Sequence, residues 1–164
     1  MIHHFVVDAG MIGAIPLSAV EKRDGIELGL VVVVPAGATL RHEYFGGTMH
    51  FTLGIGGGAD IPPGRDESWW VGDLCYVLAN NFAHSTRVGR IQAGYGAACE
   101  QSFRTPRQSV AGSLLFPLAD GRQGLVHSTA YGDGCYTGVL TQDDEGRLAT
   151  LVIYTGDDGS DEEE

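Results

Sequence analysis

The chain has 164 residues, of which 25 are Gly, 43% are apolar and 9% are aromatic, with a formal net charge of −11. That length suits one domain able to bury roughly 68–70% of its unfolded surface without a metal or disulfide framework, and the composition excludes collagen-like, disulfide-scaffold and disordered classes. Six of the last eight residues are acidic, so residues 1–156 read as a single β-rich domain of charge −5 and 157–164 as an acidic tail.

In chain order, His4 to Asp8 reads as a first strand. The apolar stretch Met11 to Val20 is interrupted by Pro16 and followed by Glu-Lys-Arg, which fits neither a targeting segment nor a membrane span and leaves a short helix around Pro16 to Lys22. Leu28 to Val34 is the next strand, and its four consecutive valines, Val31 to Val34, predict cover on both faces or a place in a barrel wall. The clearest signal is Leu40 to Leu53, where Gly46-Gly47 divides two alternating runs and predicts a two-residue hairpin. Pairing Phe45 with Thr48 puts Leu40/Leu53, His42/Phe51 and Tyr44/Met49 on one buried face, and Arg41/Thr52 and Glu43/His50 on the other. His42 and His50 therefore point apart and cannot ligate one metal; His42 reads as a core or rim residue.

Gly54 to Arg65, with five Gly and two Pro, is a loop. Further strands are expected at Trp69 to Leu78, Ser113 to Leu118, Gly124 to Ala130, Tyr136 to Gln142 and Arg147 to Tyr154, the last two joined through a turn at Asp143 to Gly146. Besides Pro16 to Lys22, short helices fit within Val77 to His84 or Ala97 to Phe103. The expected fold class is all-β or β-dominated: a distorted barrel or two packed antiparallel sheets of eight to ten strands, with short helices. Three cysteines without C-x-x-C spacing, Cys75, Cys99 and Cys135, suit a reducing compartment. The expected compartment is the cytoplasm.

Phosphate-loop, serine-elbow and zinc-protease signatures are missing from the sequence, and Gly54-x-Gly56-x-x-Ala59 matches a dinucleotide fingerprint only formally, because Asp60-Ile61-Pro62-Pro63 stands where a helix must begin. There is an internal echo, however. Trp69 to Tyr76 and Thr129 to Tyr136 share Gly, Asp, Cys and Tyr at an offset of 60 residues, and Asp8 lies in the similar setting Val6-Val7-Asp8-Ala9-Gly10.

Three segments, Trp70-Val71-Gly72-Asp73-Leu74-Cys75-Tyr76, Thr129-Ala130-Tyr131-Gly132-Asp133-Gly134-Cys135-Tyr136 and Val7-Asp8-Ala9-Gly10-Met11-Ile12-Gly13, resemble the W-V-G-D-x-C-Y, T-A-Y-G-D-G-x-Y and V-D-x-G-x-I-G motifs of an uncharacterised group of small phage and bacterial proteins. In that group the V-D-x-G-x-I-G motif comes last, whereas this chain starts with it, as in a circular permutation. The resemblance implies a phage or mobile-element setting, with the cytoplasm of a bacterial host cell or a virion as the expected location, and supplies no reaction.

If Asp8, Asp73 and Asp133 converge, they form a divalent-cation site or a general acid/base pair; the plainer reading is three turn aspartates that accept backbone hydrogen bonds. Cys135 with His127 and Asp133 invites a nucleophile reading, against which stands the alternation of strand residues between faces. Trp70, Tyr76, Tyr131 and Tyr136, with Asp8, Asp73 and Asp133, are the candidate ligand-binding set, although strand-edge aromatics commonly belong to the core. The expected function is a non-enzymatic binding or interaction module acting through a small-molecule pocket or a subunit interface, with a hydrolase-like enzyme on the three aspartates and a structural virion component as alternatives. A small molecule or a protein is the expected partner and a homo-oligomer the expected assembly, with no bound cofactor beyond a divalent cation. Nucleic acid is disfavoured because the ten bases form no patch, and a membrane because no apolar run is long enough.

Overall fold

The computed structural model describes residues 1–21, 23–54, 57–74, 77, 87–88, 91–92, 95–104, 110, 112–129 and 132–155. Its strands are β1 (Ile2–Val7), β2 (Met11–Pro16), β3 (Leu30–Val34), β4 (Thr39–Phe45), β5 (Thr48–Gly54), β6 (Ala59–Asp60), β7 (Glu67–Gly72), β8 (Arg87–Val88), β9 (Ile91–Gln92), β10 (Leu115–Pro117), β11 (Gln123–Ser128), β12 (Gly134–Gln142) and β13 (Leu148–Tyr154). One α-helix, α1 (Tyr95–Arg104), and two single 3-10 turns, Leu17–Ala19 and Ile26–Leu28, complete the described elements.

The hairpin of β4 and β5 has the expected register, with Phe45 opposite Thr48, Tyr44 opposite Met49 and His42 opposite Phe51. Gly46 and Gly47 both adopt left-handed backbone, at φ 62° and 77°, the conformation that a two-residue turn matched to strand twist requires. This hairpin belongs to a six-stranded antiparallel sheet in the order β1-β12-β13-β5-β4-β6. Its inward residues, among them Phe5, Leu40, Met49, Phe51 and Ile153, meet Ile12, Ala14, Trp69, Val71 and Leu125 of a second sheet, in the order β10-β11-β2-β7-β3. Each fully buried Leu or Phe here stabilises the sandwich by about 1.5–3 kcal/mol.

The second sheet is covered on its far side too. Met11, Ile15, Trp70 and Val126 pack there with Ala97 and Ala98 of α1, whose small side chains let the helix lie close to the strands. All six residues of β2 are consequently buried. The segment read only as an interrupted apolar stretch is thus a central strand, with Pro16 at its last position, where no further ladder hydrogen bond is needed. The valine run is corrected in the opposite sense. β3 is an edge strand, buried on one face only, with Val31 exposed. Two packed sheets, not a closed barrel, form the fold. The helix expected within Val77 to His84 falls mostly outside the described residues. Among the described residues, no helix is long and apolar enough to cross a membrane.

Candidate functional site

The three motifs meet at one end of the second sheet. Pairing of Gly13 with Gly72 sets the residue after β7, Asp73, beside the turn from β1 to β2. Its Oδ2 accepts the backbone N–H groups of Asp8 and Ala9, and the side chain is buried. On the other flank the Thr129 N–H donates to Gly10 O at 2.9 Å. The Thr129 and Tyr136 hydroxyls both donate to Gly132 O at 2.7 Å, closing the turn into β12.

Convergence of the backbone does not bring the carboxylates together as a metal centre. Asp8 and Asp133 are exposed while Asp73 is committed to backbone amides, and no group of three His, Cys, Asp or Glu among the described residues is placed to hold a metal ion. The echo is likewise not a structural repeat, since Asp73 follows a strand of the second sheet whereas Asp133 precedes a strand of the first. Cys135 and His127 are separated, because Cys135 is exposed on β12 and His127 is buried between the sheets. Trp70 is buried on the α1 side, with its indole N–H donating to Ile26 O at 2.8 Å, so it serves packing; Tyr136 is a turn brace. Tyr76 and Tyr131 lie outside the described residues.

A concavity lies at the opposite end of β2 and β7, where the sequence offered only a Pro- and Gly-containing loop. A groove of about 600 Å³ is lined by Leu17, Arg23, Pro62, Arg65, Asp66 and Glu67. A second hollow of about 310 Å³ shares Pro62 and Glu67 with it and reaches Trp69, Asp60 and Arg122. Between them Arg122 is held on all sides, by Asp120 at 2.7 Å, Ser18 Oγ at 2.8 Å and Glu67 at 3.0 Å. Burial raises the Asp120 pKa, but hydrogen bonds from Arg122 and its charge outweigh this and hold the carboxyl below the usual range.

The acids lining the two hollows are engaged, and two bases of the groove have no ion-pair partner among the described residues. Asp60 accepts the Thr39 hydroxyl, Asp66 accepts the Ala36 N–H and Glu67 accepts from Arg122. Arg23 and Arg65 are exposed and form no ion pair with a described residue. Trp69 is almost fully buried and its indole N–H has no hydrogen-bond partner. Two guanidinium groups without an ion-pair partner among the described residues suit an anionic ligand bearing acceptor oxygens.

Comparisons of the chain with protein-family models, with curated proteins and with solved structures gave no match.

Proposed function

We propose that this protein is a non-enzymatic binding module, of the phage or mobile-element origin that its motifs imply, and that it takes a small anionic molecule into the groove bounded by Arg23 and Arg65. The observation that carries this reading is the imbalance of pairing in the groove: the described acids lining it are hydrogen-bonded, while neither arginine forms an ion pair with a described residue. A ligand carboxylate or phosphate makes two-pronged hydrogen bonds with a guanidinium. The hydrolase-like alternative has weaker support, since Asp73 spends its charge on the Asp8 and Ala9 amides.

The test is a thermal-shift panel of small carboxylates and phosphates on the chain and on an Arg23→Ala/Arg65→Ala variant. A ligand at one hundred times its dissociation constant stabilises the chain by about 2.7 kcal/mol. The reading expects such a shift from an anion and its loss in the variant, whose fold is unaffected because both side chains are exposed. A panel without any shift, or a shift that survives the double substitution, overturns it.

A specific observation also favours a subunit interface. The face of the first sheet turned away from the core carries Ile2, Val6, Phe45 and Tyr154 exposed, and pairing aligns Ile2, Val139 and Val152 in one row. Apolar surface of this kind marks association, and a second copy of the chain is the occupant we assign to it. Sedimentation of the chain against a Val6→Lys/Tyr154→Lys variant tests this: a dimer that becomes a monomer supports it, and a monomeric parent chain rejects it.

A further inference from the structure

His42 on β4 and His127 on β11 reach each other across the space between the two sheets, with ring centroids 6.2 Å apart. Each is 2% exposed. The His42 ring stacks on Phe51 at 4.2 Å and the His127 ring on Tyr44 at 4.6 Å, so packing fixes both orientations. The His42 backbone N–H is held by Ser113 Oγ at 3.0 Å. His127 Nδ1 lies 2.6 Å from Ser128 O; a carbonyl only accepts, so Nδ1 carries the proton and Nε2 of the neutral ring is left with its lone pair.

Three ring nitrogens at this point, His42 Nδ1, His42 Nε2 and His127 Nε2, are buried without a hydrogen-bond partner among the described residues. Protein interiors pair such atoms with protein, water or an ion, because an unpaired buried polar group costs about 1–3 kcal/mol. A histidine whose other nitrogen donates to a backbone carbonyl is also the usual form of a metal-ligating imidazole. The centroid separation of 6.2 Å is longer than a direct ring-to-ring hydrogen bond allows and leaves room for one ion held by a nitrogen of each ring at about 2.0 Å.

We propose that His42 and His127 hold a single copper(I) ion between the sheets through one nitrogen of each ring. Imidazole suits copper. The charge of the ion follows from the surroundings: both ligands are neutral, no third His, Cys, Asp or Glu among the described residues completes a metal-holding group, and the cost of burying an ion rises with the square of its charge. A divalent ion would require carboxylate or several waters in an apolar core of Phe51, Tyr44 and Leu40, whereas a monovalent d10 ion is satisfied by two neutral donors in line. The inference is independent of the Arg23/Arg65 groove, which lies elsewhere in the fold and uses different residues.

The test titrates copper(I) anaerobically, against a chromogenic copper(I) chelator, into the full chain with Cys75, Cys99 and Cys135 replaced by Ser, so that thiols do not compete. One equivalent is expected to bind, with X-ray absorption reporting two nitrogen neighbours and no sulfur. His42→Phe keeps an aromatic ring against Phe51 and is expected to weaken binding at least about tenfold. The proposal is overturned if the cysteine-free chain takes up no copper(I), if the absorption spectrum shows sulfur ligation, or if a folded His42→Phe variant binds as tightly. Should that variant fail to fold, the ligand count from X-ray absorption on the cysteine-free chain decides alone.

Discussion

The Asp73 carboxylate accepts the main-chain N–H of Asp8, a residue 65 positions earlier in the chain. Through that bond and its neighbour from Ala9, the end of β7 clamps the turn that carries the chain from the first sheet to the second. A short polar side chain is needed there because the two amides lie where β1 ends and no ladder partner reaches them.

Asp73→Ala is therefore expected to destabilise the chain by about 1 kcal/mol, the cost of losing the acceptor for two part-buried donors, with a smaller loss for Asp73→Asn, which keeps an acceptor. Urea denaturation of both variants checks this. Full stability in Asp73→Ala would mean that the carboxylate does not serve the turn and would return it to the list of functional groups.

Acid stability follows from the histidines between the sheets. Burial lowers the His42 pKa from 6.5 to about 3, with the His127 and His50 charges acting in the same sense, and burial also lowers that of His127 against the opposing hydrogen bond to Ser128 O. The folded state thus binds these protons less readily than the unfolded state. The contribution of His42 is complete above pH 6.5 and is lost as pH falls from there towards about 3, with a slope approaching about 1.4 kcal/mol per pH unit, and His127 acts in the same direction. In chelator-treated protein, ΔG of unfolding should fall across this window, and His42→Phe should flatten part of that fall. An equal pH slope in the two proteins would contradict the assignment.

Much of the sandwich was legible because period-two alternation records which face of a strand is wet. Leu40 to Leu53 and the last hairpin carry that record clearly, and the strand ends were displaced by only one or two residues. β2 was not legible. A strand buried on both faces has no alternation to read, and Pro16 suggested an interruption where the strand merely ends. The backbone segments of Asp8, Asp73 and Gly132 meet, yet spacing alone cannot tell a carboxylate that faces a ligand from one that faces backbone amides. The groove left almost no trace, because Arg23, Arg65 and Trp69 come from separate segments whose only common feature is three-dimensional. The His42 and His127 pair was hidden for the same reason, although the hairpin register already placed His42 inward.

Gly138 marks the tightest packing of β12 on β1. A Cβ built there lies 2.5 Å from the Phe5 ring and 3.5 Å from Ile153 Cγ1, and Phe5 is fully buried with no room to withdraw. Gly138→Ala should cost about 1–3 kcal/mol through overpacking, measurable as a lower urea midpoint with an unchanged slope. Phe5→Leu in the same chain should restore part of the loss by vacating the ring, and failure of that rescue would locate the strain elsewhere.

Arg122 separates the effect of charge from that of shape in the groove. Its ion pairs with Glu67 and Asp120 are partly exposed, and such pairs contribute only about 0–1 kcal/mol to stability, so Arg122→Ala should leave the fold nearly unchanged. It would, however, release the Glu67 carboxylate, which lines both hollows, to repel an incoming anion. Affinity for an anionic ligand is expected to fall about tenfold, or about 1.4 kcal/mol, with the difference shrinking at high salt as the freed charge is screened. Adding Glu67→Gln to Arg122→Ala removes that charge and should recover most of the affinity. If the double variant binds as poorly as Arg122→Ala alone, Arg122 shapes the groove or touches the ligand itself, and neutralisation of Glu67 is not its role.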